Sequence, residues 1–433
     1  MIITFYFPPR AGVASLRLKG LAKYLPEFGW EPVILTPQLP GRPEPRFRVI
    51  ETLYPGDVAE QWSKRLAWLG IRGGRDEAGV FNVQVRHELP LFKQALGLLK
   101  RITRTLIYPD NQKPWYPYAL ATARSLLTTE TFDAIISSYG PAAPHLTAKA
   151  LKLEFGLPWV ADFRDLWTQN PYYNHLYFCG PIRKAFEERL ERSTLSVANA
   201  LVTVSEPLAE RLKSLHKGKR VEVIPNGFDP DEVPAGKSTL TKEMSLIYTG
   251  NLYEGMRDPT PLFHALSEMI NEGSVRASEI KVSFYGSQHE WLLPIIEKLG
   301  LKDVVTLNRP VARGVILEEQ RKTHILLLID WKDKREQGIY TGKLFEYLAA
   351  RRPILAFGGG GGVIAKLLQE TGAGRYATDV KDLKKILLEW YREYKELGEV
   401  VYKGNWEAVE KYSHRSMAQK FASLLDAVTR GRQ

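Results

Sequence analysis

Cysteine is almost missing from this chain: Cys179 is the only one in 433 residues. A single thiol excludes an intramolecular disulfide and a cysteine-rich zinc site, and it fits a reducing compartment. No uncharged stretch reaches the roughly 18 residues needed to cross a bilayer. The first apolar run is too short for a signal peptide and has no basic region before it. The expected location is therefore the cytoplasm, either in solution or peripherally on the inner face of the membrane. Low-complexity tracts and repeats of solenoid period are absent. So are ligand spacings of the zinc or calcium kind, an Asp-x-Asp between a strand and a loop, and the Walker and dinucleotide glycine spacings. The expected chemistry is neither thiol-based, redox nor metal-dependent.

What is present is length, positive charge and a regular alternation of elements. A chain of 433 residues exceeds the size at which one hydrophobic core keeps growing, so two domains are expected. The formal net charge of +11 suits an anionic partner. The segment "LPLFKQALGLLKRITRTLI" (89–107) carries Lys93, Lys100, Arg101 and Arg104 and no acidic residue, among Leu and Ile at helical spacing. It reads either as a helix lying on an anionic membrane surface or as a core-facing helix with a solvated basic side. Nucleic-acid binding would explain the charge but none of the motifs below, and is not expected.

Strand-like runs are "EPVILTP" (31–37), "AIISS" (134–138), "WVADFRD" (159–165), "LVTVS" (201–205), "VEVIPN" (221–226), "LIYTG" (246–250), "KVSFYG" (281–286), "VVTLN" (304–308), "ILLLID" (325–330) and "PILAFG" (353–358). Amphipathic stretches of helical length fill most of the gaps, so mostly parallel sheets built from βαβ units are predicted. The stretch "FDPDEVPAGKSTLTKEM" (228–244), rich in turn formers and poor in large apolar residues, reads as the domain boundary. In open parallel sheets ligands bind beyond the carboxyl ends of the strands, so functional residues are sought there.

"LIYTGNLYEGMRDPTPLFHAL" (246–266) is a strand, a glycine turn from Gly250 to Gly255, and a helix. Glycines let a backbone approach a phosphate, a helix start offers free N–H groups, and Arg257 adds a charge-assisted donor. The alternative is an ordinary strand-to-helix connection. In "IYTGKLFEYLAARRPILAFGGGGG" (339–362), Gly342 and Lys343 open a helix that carries Glu346 one turn on, and a strand follows that runs into five glycines. The lysine suits a phosphate and the glutamate a pair of ribose hydroxyls, while a solvated Lys–Glu pair is the plainer alternative.

The stretch "GKLFEYLAARRPILA" resembles the signature of retaining nucleotide-sugar glycosyltransferases of the GT-B fold, the large family four. There a Glu-Ala/Tyr-Met/Leu-Ala helix precedes a small or basic residue, Pro and a strand. "FYFPPRAGVASLRLKGLAKYLPEFGWEPVILTP", "VANALVTVSEPLAERL", "VEVIPNGFD" and "TGNLYEGMR" resemble further parts of that family in the same order. The resemblance implies an α/β GT-B architecture of two Rossmann-like domains facing each other across a cleft. Residues 1–233 would bind the acceptor and 244–405 the nucleotide sugar, with a C-terminal helix in 406–433 packing back on the first domain.

By that likeness Glu346 binds the nucleotide ribose, Arg257 and Lys343 the donor diphosphate, and Gly250 and Asn251 belong to the phosphate-facing loop. Gly12, at the end of the first strand, lets the backbone approach the donor's phosphate and sugar, and Arg10 beside it either assists or is solvated. Met1 lies almost inside that strand, which reads as unusually short unless the chain starts further upstream. The family often has a second Glu eight positions before the ribose-binding one. Here that position is Gly338, and Glu336 is close but out of register, so either Glu336 or the Gly338 backbone meets the sugar.

In the first half, Asp162, Arg164 and Asp165 end a buried-looking strand. They read as an acceptor site with Asp162 as general base, or as an ion pair tying down a loop. His145 reads as a packing residue more readily than a catalytic one, and "PDNQKPWYPYAL" (109–120) as either a sugar-stacking or a packed aromatic loop.

The function so implied is transfer of a hexosyl group, with retention, from a nucleoside-diphosphate sugar to a glycan or lipid-linked acceptor in cell-surface polysaccharide synthesis. No cofactor is implied beyond the nucleotide sugar as co-substrate. The rival readings are a nucleotide-sugar epimerase of the same fold and a non-catalytic nucleotide-sugar binding protein.

Overall fold

The computed structural model describes residues 1–433 apart from 59, 62–73, 76–80, 83–106, 171–179, 234, 235, 237, 288, 334–337 and 431–433. The basic segment read over 89–107 lies, up to residue 106, outside the described residues. The chain forms two units: the first is Met1–Pro225 with Ala418–Gln433, the second Asn226–Met417.

The strands of the first unit are β1 (Ile2–Ile3), β2 (Val33–Pro37), β3 (Arg48–Thr52), β4 (Gly74–Arg75), β5 (Phe81–Asn82), β6 (Ile135–Ser138), β7 (Trp159–Phe163), β8 (Ala200–Thr203) and β9 (Val221–Val223). Seven of them form one sheet in the order β3-β2-β1-β6-β7-β8-β9, while β4 and β5 pair separately. Every pairing in the large sheet is parallel, as the alternation of strand and helix requires. The order reverses between β1 and β6. Of the opening run only Ile2–Ile3 is strand, and Phe5 and Phe7 go on into a buried loop.

The second unit has β10 (Met244–Thr249), β11 (Ile280–Tyr285), β12 (Val305–Asn308), β13 (Ile325–Ile329), β14 (Ile354–Phe357) and β15 (Gly374–Ala377), in the order β12-β11-β10-β13-β14-β15. Its sheet is also parallel, and its order reverses between β10 and β13. Successive side chains go to opposite faces. Leu246 and Tyr248 join a core with helices Thr260–Asn271 and Val380–Leu397. Ile247 joins the other core, with helices Gly342–Ala350 and Gly362–Thr371.

The division at Pro225 falls ahead of the stretch read as the boundary, because Phe228 is already core. Its ring sits 5.8 Å from that of Trp406, its N–H donates to the Tyr412 carbonyl at 3.1 Å, and its carbonyl accepts from His414 N–H at 2.7 Å. A Cβ at Gly227 would stand 2.6 Å from the Tyr412 oxygen. Close backbone approach thus accounts for the glycine of "PNGFD".

Candidate functional site

In the second unit the reversal between β10 and β13 leaves two loop starts side by side, the location at which open parallel sheets take ligands. After β10 the chain turns through Gly250, whose φ is +118°. That conformation favours glycine, and a Cβ there would stand 2.7 Å from Lys343 Nζ. Lys343 is the second residue of its helix. Its Nζ donates to the Tyr248 hydroxyl at 2.8 Å and lies 4.4 Å from the centre of that ring. Burial, reinforced by the neighbouring Arg257 and opposed by Glu346, pulls the Lys343 ammonium down to about 7.

Arg257 closes the same loop. Its guanidinium lies 5.0 Å from the Trp331 ring centre, its backbone N–H donates to the Tyr253 carbonyl at 2.8 Å, and its Nε is buried without a partner. Tyr253 packs on Trp331 at 5.4 Å, and Lys332 N–H donates to the Met256 carbonyl at 3.0 Å. These contacts bind the β10 loop to the β13 loop. Asn251 contributes by anchoring the turn: its Oδ1 accepts from Ser287 N–H at 3.2 Å and Oγ at 2.9 Å. Among the described residues no carboxylate makes an ion pair with Lys343 or Arg257.

The glycine run ends β14 and leads into helix Gly362–Thr371. A Cβ at Gly359 would stand 2.8 Å from Asp330 Oδ2. That carboxylate accepts from Trp331 N–H at 2.7 Å and from the Tyr376 hydroxyl at 3.2 Å, and burial raises it above the usual carboxylate range. Asp330 and Tyr376 therefore hold the glycine loop against the end of β13. Sequence reasoning missed Tyr248, Trp331, Asp330 and Tyr376. The signal available for Tyr248 was its place two residues before a glycine turn, the one aromatic residue of its strand.

Glu346 faces Arg313 and accepts a hydrogen bond from its Nη1, while Nη2 of the same arginine donates to Glu232 at 3.0 Å. Sequence reading had paired Glu346 with Lys343 as the plain alternative, and the partner is Arg313 instead. Gly338 is buried, and Glu336 lies outside the described residues.

In the first unit the structure corrects the role expected of Asp162. Its side chain is wholly buried, and its carboxylate takes a two-pronged bond from Arg17, Nη2 to Oδ1 at 2.7 Å and Nε to Oδ2 at 3.1 Å. Ser138 Oγ adds a third donor at 3.2 Å. Buried and filled with donors, it is a structural anion rather than a base open to an acceptor hydroxyl. Arg17 also donates to the Pro225 carbonyl at 2.9 Å and lies 5.4 Å from the Phe421 ring centre, so it ties the first helix, β7 and the C-terminal segment together. The signal was legible: Ala14, Arg17, Leu18 and Leu21 follow the helical core spacing, and all are buried.

Arg164 is separate from that pair. Its guanidinium lies 5.4 Å from the Tyr6 ring centre, Nη1 stands 3.8 Å from Asp165, and Nε is buried without a partner. Gly12 precedes the helix Val13–Tyr24 with φ +129° and open space where a Cβ would stand. Arg10 donates to the Gln38 carbonyl at 3.0 Å. His145 is fully buried, with Nδ1 2.7 Å from Ser137 Oγ, and burial pulls it down to about 3, so it is neutral core. Trp115, in the aromatic loop, is also core, donating to Thr52 Oγ1 at 2.6 Å.

A search by sequence found no curated protein that matches. Among solved structures, sucrose-phosphate synthase from Thermosynechococcus elongatus is 12% identical, with a TM-score of 0.59, over 99% of both chains. HepE of Anabaena, solved in complex with UDP, is 13% identical with a TM-score of 0.59, covering 98% of this chain and 99% of its own. A glycosyltransferase from Rickettsia africae is 12% identical with a TM-score of 0.57, covering 99% of this chain and 98% of its own. At such identities the likeness speaks for the fold, and it agrees with two parallel-sheet units of the GT-B class. The model of Glycosyltransferase Family 4 matches residues 14–232, just over half of the chain. The chain belongs to Glycosyltransferase Family 4, and it is a glycosyltransferase of GT-B fold.

Proposed function

We propose that the protein transfers a sugar from a nucleoside-diphosphate sugar to a glycan or lipid-linked acceptor. The observation that carries this reading is the pair Lys343 and Arg257: two half-buried cations, making no ion pair with a carboxylate among the described residues, at the strand ends of the second unit. Buried charge without a counter-charge is costly, and a diphosphate supplies that counter-charge with several acceptor oxygens. As the sugar's bond to the leaving phosphate breaks, negative charge grows on the diphosphate, and the two cations would stabilise it. With them in that role the reaction needs no divalent ion. Gly250 and Asn251 would present the turn to the phosphates, the glycine loop would offer N–H groups at its helix start, and Glu346, released from Arg313, would accept the ribose hydroxyls. HepE, crystallised with UDP, supports a nucleotide ligand for this fold.

Retention of configuration follows the family resemblance, as does a part for Gly338 or Glu336 at the donor sugar. On the acceptor side Arg164 remains the candidate in the first unit, while Gly12 keeps the part beside the donor's phosphate and sugar that the resemblance implies. Among the described residues no helix is long and apolar enough to cross a membrane. The net charge of +11 favours an anionic membrane surface, where a lipid-linked acceptor of cell-surface polysaccharide synthesis would be met, and flotation with anionic liposomes tests that contact. The main experiment is calorimetry with UDP, GDP and ADP, followed by assay of nucleoside diphosphate release from the matching sugar nucleotides, with and without EDTA. Tight binding with release only in the presence of acceptor is expected. Conversion of the donor to another sugar nucleotide would point to epimerisation instead.

A further inference from the structure

We propose that Tyr248 is a positioning residue for the diphosphate, its hydroxyl setting Lys343 and the β10 loop at one spacing before ligand arrives. The inference rests on the reading of Lys343 and Arg257 as the diphosphate site. Tyr248 is fully buried on the penultimate position of β10. Its hydroxyl accepts from Lys343 Nζ at 2.8 Å and donates to the Asn251 carbonyl at 3.0 Å. One oxygen thus joins the cation, carried on a helix 95 residues further along, to the turn that would face the phosphates.

The bond directions agree with the chemistry. An ammonium only donates, a carbonyl only accepts, and a phenol does both if it keeps its proton. Burial, with Arg257 pulling the other way, pushes Tyr248 up to about 12, so the proton stays. A free lysine loses about 2 kcal/mol of rotamer entropy when it is ordered. The Tyr248 bond, the ring face and the gap left by Gly250 impose that order in the empty protein, so ligand binding need not. A residue that served only to fill the core would need the ring and not the hydroxyl.

The test is Tyr248→Phe, which keeps the ring and removes the oxygen. The probe is inorganic pyrophosphate, which carries the diphosphate without committing to a base or sugar. Calorimetry from pH 6 to 9 is expected to show affinity weakened about tenfold near neutrality, and the pH at which affinity falls away moved downward, because the ammonium has lost an acceptor. Competitive acetylation of Lys343 against pH, read by mass spectrometry, should show the same downward displacement without any ligand. In a Lys343→Met background the Tyr248→Phe change should cost much less affinity than in the wild type, and this cycle separates positioning from a general loss of fold. Wild-type protein that fails to bind pyrophosphate overturns the diphosphate reading and this inference with it. Binding that depends on Lys343 but keeps its strength and pH midpoint in Tyr248→Phe overturns the inference alone.

Discussion

The two units bury charge at the carboxyl ends of their sheets in opposite ways. In the first, each buried arginine among the described residues meets a carboxylate: Arg17 meets Asp162, and Arg183 meets Glu187, whose other oxygen accepts from Trp167 at 3.1 Å. Glu191 likewise takes Thr168 N–H at 3.1 Å and stands 3.2 Å from His216. In the second, Lys343 and Arg257 lie about a tyrosine, a tryptophan and a glycine turn, and no carboxylate makes an ion pair with either among the described residues. The first pattern is the chemistry of a completed fold, and the second is the one expected of the proposed diphosphate site.

The comparison breaks most visibly on Arg17. Arg17→Met leaves the Asp162 carboxylate buried and unpaired, and should lower the stability of the first unit by about 3–5 kcal/mol, read from the urea midpoint. Lys343→Met, which removes a cation that burial disfavours, should not lower the stability of the second unit. Equal losses would remove the distinction.

Ligand binding should invert the ranking. Lys343→Ala or Arg257→Ala is expected to weaken nucleoside diphosphate binding about 10- to 100-fold in calorimetry, the scale of one charge-assisted bond, with the fold intact by circular dichroism.

The pH dependence sharpens the contrast further. Lys343 is held near 7 in the folded protein against an ordinary 10.5, and a bound dianion raises it again. Binding therefore takes up a proton once the free lysine is neutral. Affinity should fall with pH above about 7, by at most tenfold per unit, and Lys343→Ala should flatten the curve. The same displacement bears on stability. Between about 7 and 10.5 the unfolded chain binds the proton that the native one does not, so the empty protein gains stability as pH rises through that window.

The smallest effect is expected at Glu346. Its Arg313 partner is 42% exposed, so Arg313→Ala should change stability by less than about 1 kcal/mol. Glu346→Ala should reduce the preference for UDP over pyrophosphate about fivefold, the scale of a modest net hydrogen bond.

Much of the fold was legible. The apolar runs at 33–37, 135–138, 159–163, 200–203 and 325–329 are strands buried from end to end, so their composition alone marks them. The strands of the two large sheets that escaped notice, "RVIET" of β3 and "GRYA" of β15, are sheet edges. An edge strand meets solvent and carries charged or small residues, so the apolar signal fades there.

The site was legible where its chemistry is local. A glycine turn with Arg257, and a helix opening on Lys343, show in the sequence because both are strand-to-helix junctions. What brings them together is not local. Gly250 and Lys343 approach because β10 and the helix at 342–350 flank one reversal of strand order, a property of the whole sheet.

The sequence by itself determined the class of the fold, the places where its strands end and the kinds of side chain found there. Only the tertiary structure decided which charges are spoken for. Asp162 and Arg17 are 145 residues apart, and Glu346 and Arg313 are 33 apart. Whether a carboxylate at a strand end is a base, a ribose ligand or a structural anion depends on which cation the packing brings to it. Local periodicity records that a residue is buried. The partner that makes its burial tolerable is chosen by long-range topology, and Lys343 stands out because the described structure gives it a hydroxyl and no such partner.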